Sequence, residues 1–182
     1  MARFRKTAVI LSIGVLIWAA AGWFVQAAAD TEKGPRPAEQ GLTAEGDLQL
    51  GPKDRCPVCG MFPARRPKSA SALELDDGRT FYFCGNGCLL RGVHDSTAHL
   101  GVSAERIGRM RVRDYFTGAA IDARKAVWVA GSDVIGPMGP ALVTLQNESD
   151  LDAFRQRHGA KRVFTLDQLD DALWQQLFPA KP

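Results

Sequence analysis

Four cysteines, set as two close pairs around a hairpin signal, constrain this chain more than any other feature. Cys56 and Cys59 stand in "CPVCGM", a C-x2-C spacing, and Cys84 and Cys88 stand in "FCGNGC", a C-x3-C spacing. Between the pairs runs "SALELDDGRTFYFC", where apolar and polar residues alternate on both sides of Asp77-Gly78. An Asp-Gly step supplies the positive φ angles of a tight turn, so this stretch predicts a β-hairpin. Four thiolates so spaced can make a tetrahedral zinc site, each knuckle offering two ligands. In an exported chain the alternative is disulfides, with three possible pairings. A redox dithiol at Cys56 and Cys59 is a third reading, and it needs a thioredoxin-like strand before the motif and a helix after it.

Two methionines shift the balance towards a soft ion. Met61 follows Cys59 across Gly60, with Pro63 close behind. Met138 sits in Gly136-Pro137-Met138-Gly139-Pro140, a density of glycine and proline that marks turns. Either methionine alone reads as a filler of core gaps. Two of them in glycine- and proline-bounded loops can bring thioethers together around one ion. Thiolate and thioether ligands favour Cu(I) over zinc or hard ions. A thioether neither titrates nor forms disulfides, and it holds Cu(I) more weakly than a thiolate, so the ion can be handed on. This chemistry suits a carrier. Met110 lies in an alternating strand and is expected in the core. His94 and His99 read as polar loop or helix-end residues, and His158 as a last-turn residue facing the helix dipole.

The 182-residue chain opens with Arg3, Arg5 and Lys6 before an apolar run from Ala8 to Val25. Residues 1–29 are therefore expected to be a signal peptide, cleaved after Ala27-Ala28-Ala29, or a retained transmembrane anchor spanning residues 7–29. Both export the rest of the chain to the periplasm or another extracytoplasmic face. Residues 30–52 are rich in Gly, Pro and charge and read as a flexible linker. The folded region is expected over 53–178. The net charge of +3 is slight and there is no basic stripe with aromatics, which argues against nucleic-acid binding. The nucleophile elbow, P-loop and zinc-protease motifs are all missing, so no enzyme is expected. Asp76-Asp77 read as turn residues, and Asp170-Asp171 as the solvated face of an amphipathic helix.

The remaining pattern predicts an α+β fold. "GCLLRGVHD" reads as a helix, and "RMRVRDY" and "AVWVAG" as strands joined through Gly118. "SDLDAFRQRHG" reads as a helix with Ser149 as N-cap and Gly159 as its stop. "KRVFTL" is a strand, and "TLDQLDDALWQQLF" a helix opened by a Thr165/Gln168 capping box. Both halves run strand, strand, helix. That order predicts two small related ββαβ-like units, about 53–108 and 109–178, after the hydrophobic N-terminal helix.

"CPVCGMFPA", "DGRTFYFC", "AVWVAGSDVIGPMGPALVTL" and "HGAKRVFTLDQL" together resemble the NosL family, over roughly Arg55 to Leu169. The resemblance implies a membrane-tethered Cu(I) chaperone accessory to the maturation of nitrous oxide reductase. It implies a fold of two small treble-clef-like units, similar to those of organomercurial lyase. It places the metal ligands at Cys59, Met61 and Met138. Its implied partners are nitrous oxide reductase, or another copper-accepting protein, and a complex of a periplasmic scaffold with an ABC transporter. Two features depart from the family pattern. There is no lipobox cysteine, so the N-terminal anchor would take that role. Cys56, Cys84 and Cys88 are extra, and "FYFCGNGCLLR" behind "CPVCGM" also resembles YHS or TRASH-type metal-binding modules. The three extra cysteines can add copper ligands, build a Zn(II) knuckle or form a disulfide. The two competing functions are an interaction module structured by zinc on all four cysteines, and an exported C-x-x-C dithiol oxidoreductase.

Overall fold

Residues 34–179 are described by a computed structural model. The expected N-terminal helix and anchor lie outside these residues. Among the described residues no helix is long and apolar enough to cross a membrane.

The fold mixes small antiparallel sheets with helices. Strands β1 (Ser71–Leu75) and β2 (Thr80–Phe83) form the predicted hairpin around Asp77-Gly78. Helix α1 (Asn86–His94) comes directly after it, then the short α2 (Ser96–Leu100). Strand β3 (Ile107–Arg113) returns beside β1, and β4 (Ala120–Asp122) adds to β3, giving the sheet order β2-β1-β3-β4. Strand β5 (Val127–Ala130) starts a second sheet. A two-residue-strand hairpin, β6 (Ile135–Gly136) and β7 (Gly139–Pro140), leads to β8 (Val143–Leu145). Helix α3 (Ser149–His158), β9 (Arg162–Phe164) and α4 (Asp171–Leu177) complete the chain, with the second sheet ordered β8-β5-β9.

Both sheets place the first strand of their unit in the middle, its hairpin partner on one side and the post-helix strand on the other. With the small β6–β7 hairpin set aside, both halves run strand, strand, helix, strand. The expected division between residues 108 and 109, however, falls inside β3, which pairs with β1 and belongs with β4 to the first sheet. Alternation identifies "RMRVRDY" as a strand but carries no information about which sheet it joins.

The segment expected as a flexible linker is, from residue 34 on, laid against the first sheet. Ala38 N–H donates to Thr80 O at 2.7 Å along the edge strand β2. The Tyr82 hydroxyl donates to Gly41 O and accepts from Gln49 N–H, both at 3.0 Å. Arg111 donates to the carbonyls of Gly46 and Glu45. This covering explains why β2 is buried on both faces rather than half-exposed, as its alternation predicts. Glycine, proline and charge here mark an irregular path whose backbone groups are satisfied by side-chain and backbone groups of the sheet.

The main core joins Leu73, Phe81, Phe83 and Leu89 of the first unit to Trp128 and Phe164 of the second. Strand β5 alternates as its period demands: Trp128 faces this core, while Val127 and Val129 face Phe154 of α3. Met110 is buried in the core, as its strand pattern predicts. Helix α1 lies so close to β2 that a Cβ at Gly92 would sit 2.6 Å from a ring carbon of the fully buried Phe83. Two helix starts differ from expectation. The N-cap of α3 is Glu148, not Ser149, and its side chain makes no cap hydrogen bond. The Thr165/Gln168 box caps a 3-10 turn, Leu166–Gln168. The final helix begins afresh at Asp170, whose carboxylate accepts from Leu173 N–H at 2.7 Å. Asp170 is therefore an N-cap as well as a solvent-exposed carboxylate.

Asp114 fastens the two sheets together. It lies just after β3, is buried, and accepts hydrogen bonds from Thr117 N–H and Oγ1 and, across the junction, from Gln146 N–H at 2.8 Å. Thr144 of β8 completes the joint by donating to Arg113 O at 2.6 Å. Burial works against the Asp114 charge, but the hydrogen bonds from Thr117 and Gln146 outweigh it and hold the carboxyl below its ordinary value. The stabilisation from this depressed value is complete above the unfolded carboxyl's pKa of about 3.9, and is lost as pH falls through the lower folded value. Asp114→Asn is expected to cost about 1–3 kcal/mol at neutral pH. Denaturant midpoints of parent and variant should converge in acid; a gap that persists there would contradict this role for the carboxylate.

Candidate metal centre

Three local structures deliver the four cysteines to one place. The first is the turn at Cys56–Met61. Gly60 N–H donates to Cys56 O and Cys56 N–H donates to Met61 O, each at 2.8 Å, so the loop closes on itself like a knuckle. Gly60 sits at φ +74°, a left-handed angle that disfavours any side chain, which is why a glycine separates Cys59 from Met61. Arg55 braces the turn through Gly60 O and stacks over Phe62 at 4.3 Å. The second structure is the end of the β1–β2 hairpin, which carries Cys84. Ser69 Oγ donates to Cys84 O at 2.8 Å and fixes that exit. The third is the first turn of α1, which carries Cys88; its amide donates to Gly85 O at 3.0 Å.

The four Sγ atoms lie within 4.8 Å of one another. Cys59 and Cys84 approach to 3.4 Å, and Cys84 and Cys88 to 3.6 Å. These separations exceed the roughly 2.05 Å of a disulfide, and all four cysteines are free. A tetrahedron with metal–sulfur bonds of about 2.3 Å has edges of about 3.8 Å, close to the observed spacing. Cys56, Cys84 and Cys88 are buried, and Cys59 is half-buried. Hydrogen bonds from the Cys84 and Cys88 thiols stabilise a thiolate at Cys56 and pull its pKa well below the usual thiol range, against the effect of burial. Those same bonds to Cys56 push Cys84 and Cys88 up. A thiolate at Cys56 thus disfavours charge on Cys84 and Cys88, which a bound cation would offset.

The disulfide reading of any pair is not what the geometry holds. The dithiol reading also lacks its context, because Cys56 and Cys59 lie in a turn that runs into a 3-10 turn, Pro63–Arg65, rather than between a strand and a helix.

The methionines occupy different positions. Met61 belongs to the knuckle and its side chain is exposed. Met138 is at the tip of the β6–β7 hairpin and is more than half exposed, at 56%. That hairpin leans on the Cys84–Cys88 turn: a Cβ at Gly85 would touch the Pro137 ring at 3.6 Å. Met138, Cys84 and Cys88 line one cavity of about 780 Å³. Asn86 of α1 ties the same region to the second sheet, donating to Leu142 O at 2.9 Å and Thr144 Oγ1 at 3.2 Å.

The NosL family profile matches residues 47–174. The chain belongs to the NosL family. Its fold is similar to the crystal structure of the copper chaperone NosL from Shewanella denitrificans, with a TM-score of 0.57 at 20% identity over 69% of this chain and 96% of that one. No curated protein matches the chain. Within this NosL fold, sequence reasoning identified the cysteines and both methionine loops. It passed over Ser69, Asn86 and the cations of the "RRPK" run at Arg65–Lys68, a signal visible in the sequence but given no role.

Two of the three histidines have partners elsewhere. His158 bonds Asp133 at 2.8 Å and the Tyr115 hydroxyl at 2.9 Å, and His94 stacks on Trp174.

Metal capture by this cluster must displace the protons that Cys84 and Cys88 retain. Affinity for a thiophilic ion is therefore expected to rise with pH between about 6 and about 8, with protons released on binding. Competition titrations at several pH values, read beside proton release, check this. A pH-independent affinity would exclude Cys84 and Cys88 as ligands.

Proposed function

We propose that this chain is an extracytoplasmic Cu(I) carrier, tethered to the membrane by residues 7–29 and performing no catalysis of its own. Its cargo goes to nitrous oxide reductase or to another copper-accepting protein, in company with a periplasmic scaffold and ABC-transporter complex. One observation carries this reading: four free sulfurs gathered within 4.8 Å in a member of the NosL family. The similar solved protein is a copper chaperone, and the basic-then-apolar N-terminus supports export.

Cys59, Met61 and Met138 are the ligands proposed for the transferable ion. Cys59 is the least buried of the four cysteines, so it is the thiolate a partner reaches first. The exposed thioethers of Met61 and Met138 offer weak, non-titrating bonds on the solvent side. Cu(I) leaves by ligand exchange: a donor from the acceptor bonds as a thioether lets go, and no electron changes hands. Cys56, Cys84 and Cys88 stand behind as secondary ligands. The order knuckle, hairpin, helix supports the treble-clef-like reading of the first unit, and the common strand order supports kinship between the two units.

A second reading has its own support. The grouping of all four sulfurs within 4.8 Å also suits Zn(II), which would make Cys56, Cys59, Cys84 and Cys88 a structural site of an interaction module.

Titration of the reduced full chain with Cu(I) against a competing chelator tests the carrier. Cys59→Ser and Met138→Ala are each expected to weaken retention by about tenfold or more, ~1.4 kcal/mol. Parent-like affinity in both variants would remove them from the site. One tightly held zinc per chain as purified, with unfolding on chelation, would support the zinc module instead.

A further inference from the structure

The cavity that Met138 shares with Cys84 and Cys88 is charged with one sign. Arg65, Arg66, Lys68, Arg91 and Arg113 line it, and no aspartate or glutamate does. That concentration stands out in a chain whose net charge is only +3. Arginines on the hairpin side of the first sheet are neutralised: Arg106 bonds Asp76 at 2.8 Å and Asp77 at 2.6 Å, and Arg109 bonds Glu74 at 2.8 Å. Among the described residues, none of the five cavity cations pairs with a carboxylate. Three of them are held in place by neutral partners, Arg65 lying over the Phe62 ring at 4.7 Å. Arg91 lies over the Phe178 ring at 4.2 Å, and Arg113 donates to Gly118 O at 3.0 Å. Two buried polar atoms of the lining, Arg113 Nε and Asn86 Oδ1, have no partner. A buried donor or acceptor left unpaired costs stability, and the Arg113 Nε–H is a donor that a carboxylate can accept. The lining also includes Ile135 and Met138, the two most exposed large apolar side chains among the described residues, at 72% and 56%.

We infer that this groove docks an acidic, extended peptide segment of the protein that exchanges copper with this chain. The inference rests on the copper-carrier reading and specifies the partner's contact chemistry. Carboxylates of the segment pair with the guanidinium groups, which accept them bidentately. An apolar side chain of the segment covers Ile135 and Met138. A volume of about 780 Å³ accommodates several side chains rather than one small ion. Five spread cations fit repeated charges along a chain better than a single headgroup. A segment seated there lies against Cys84, Cys88 and Met138, where a lipid would have no use for sulfur ligands. Charge of one sign on the groove also speeds encounter with an acidic partner and selects against a basic one.

The test uses the reduced full-length chain and two fluorescein-labelled peptides of equal length. One is rich in Asp and Glu with a central methionine; the other replaces every acid by its amide. Anisotropy should report binding of the acidic peptide only, weakening with salt. The double substitution Arg65→Glu with Lys68→Glu, at exposed positions, should weaken binding by about tenfold or more, whereas Lys125→Glu, outside the groove, should not. Equal binding of the two peptides, or equal effects of groove and control substitutions, would overturn the proposal. Vesicles of phosphatidylcholine and phosphatidylglycerol in equal parts form a parallel arm. If the groove substitutions abolish vesicle binding while the acidic peptide fails to bind, the groove is a membrane contact and the proposal falls. Cu(I) uptake measured on the same samples separates the two ideas. Uptake without preference for the acidic peptide removes the docking segment alone; preference for the acidic peptide without uptake supports the groove and removes the copper reading.

Discussion

The gathering of four sulfurs from a knuckle, a hairpin end and a helix start is the constraint on which this structure turns. Cys56, Cys84 and Cys88 are buried, and buried thiols without a cation share their charge poorly. The surrounding fold holds them together regardless. The knuckle is closed by its own amides, the hairpin delivers Cys84, and α1 is pressed onto β2 at the Gly92–Phe83 contact. Backbone hydrogen bonds and the Gly92–Phe83 packing thus position the elements that carry the sulfurs. Such placement lowers the ordering cost of binding.

The second unit gives this cluster an outer surface. Asp114, Thr144 and Asn86 lock the two sheets at the edge where the β6–β7 hairpin projects. Without that joint, the tip carrying Met138 would have no fixed relation to Gly85 and the cysteine turn. The same joint sets the hairpin and the Arg65–Lys68 loop around one cavity. Buried thiols, exposed thioethers and unpaired cations thus meet in one region. That arrangement suits the proposed carrier: capture at the cysteines, exchangeable bonds at the exposed thioethers, and charge to hold a partner.

Much of this is legible in the sequence because the relevant signals are local. Asp77-Gly78 marks its turn by φ preference, and the two cysteine spacings mark ligand pairs by reach. The periods of α1, α3, β5 and β9 reflect which residues face the core. Pairing between distant strands leaves no such trace. The partner of β3 depends on contacts far away in sequence, so its pattern alone does not say which sheet it joins. The segment from residue 34 to residue 52 reads as flexible because its backbone is satisfied by Tyr82, Arg111 and Thr80 of the sheet, not by a repeating pattern of its own. The cations of the groove are individually visible, but only folding shows that the acids are elsewhere.

The most direct measurement of the central claim is copper-edge X-ray absorption of the reduced full chain carrying one equivalent of Cu(I). The account predicts a first shell made of sulfur alone, with a longer thioether component that disappears in Met138→Ala. A shell of nitrogen or oxygen, or a sulfur shell indifferent to Cys59→Ser and Met138→Ala, would contradict it.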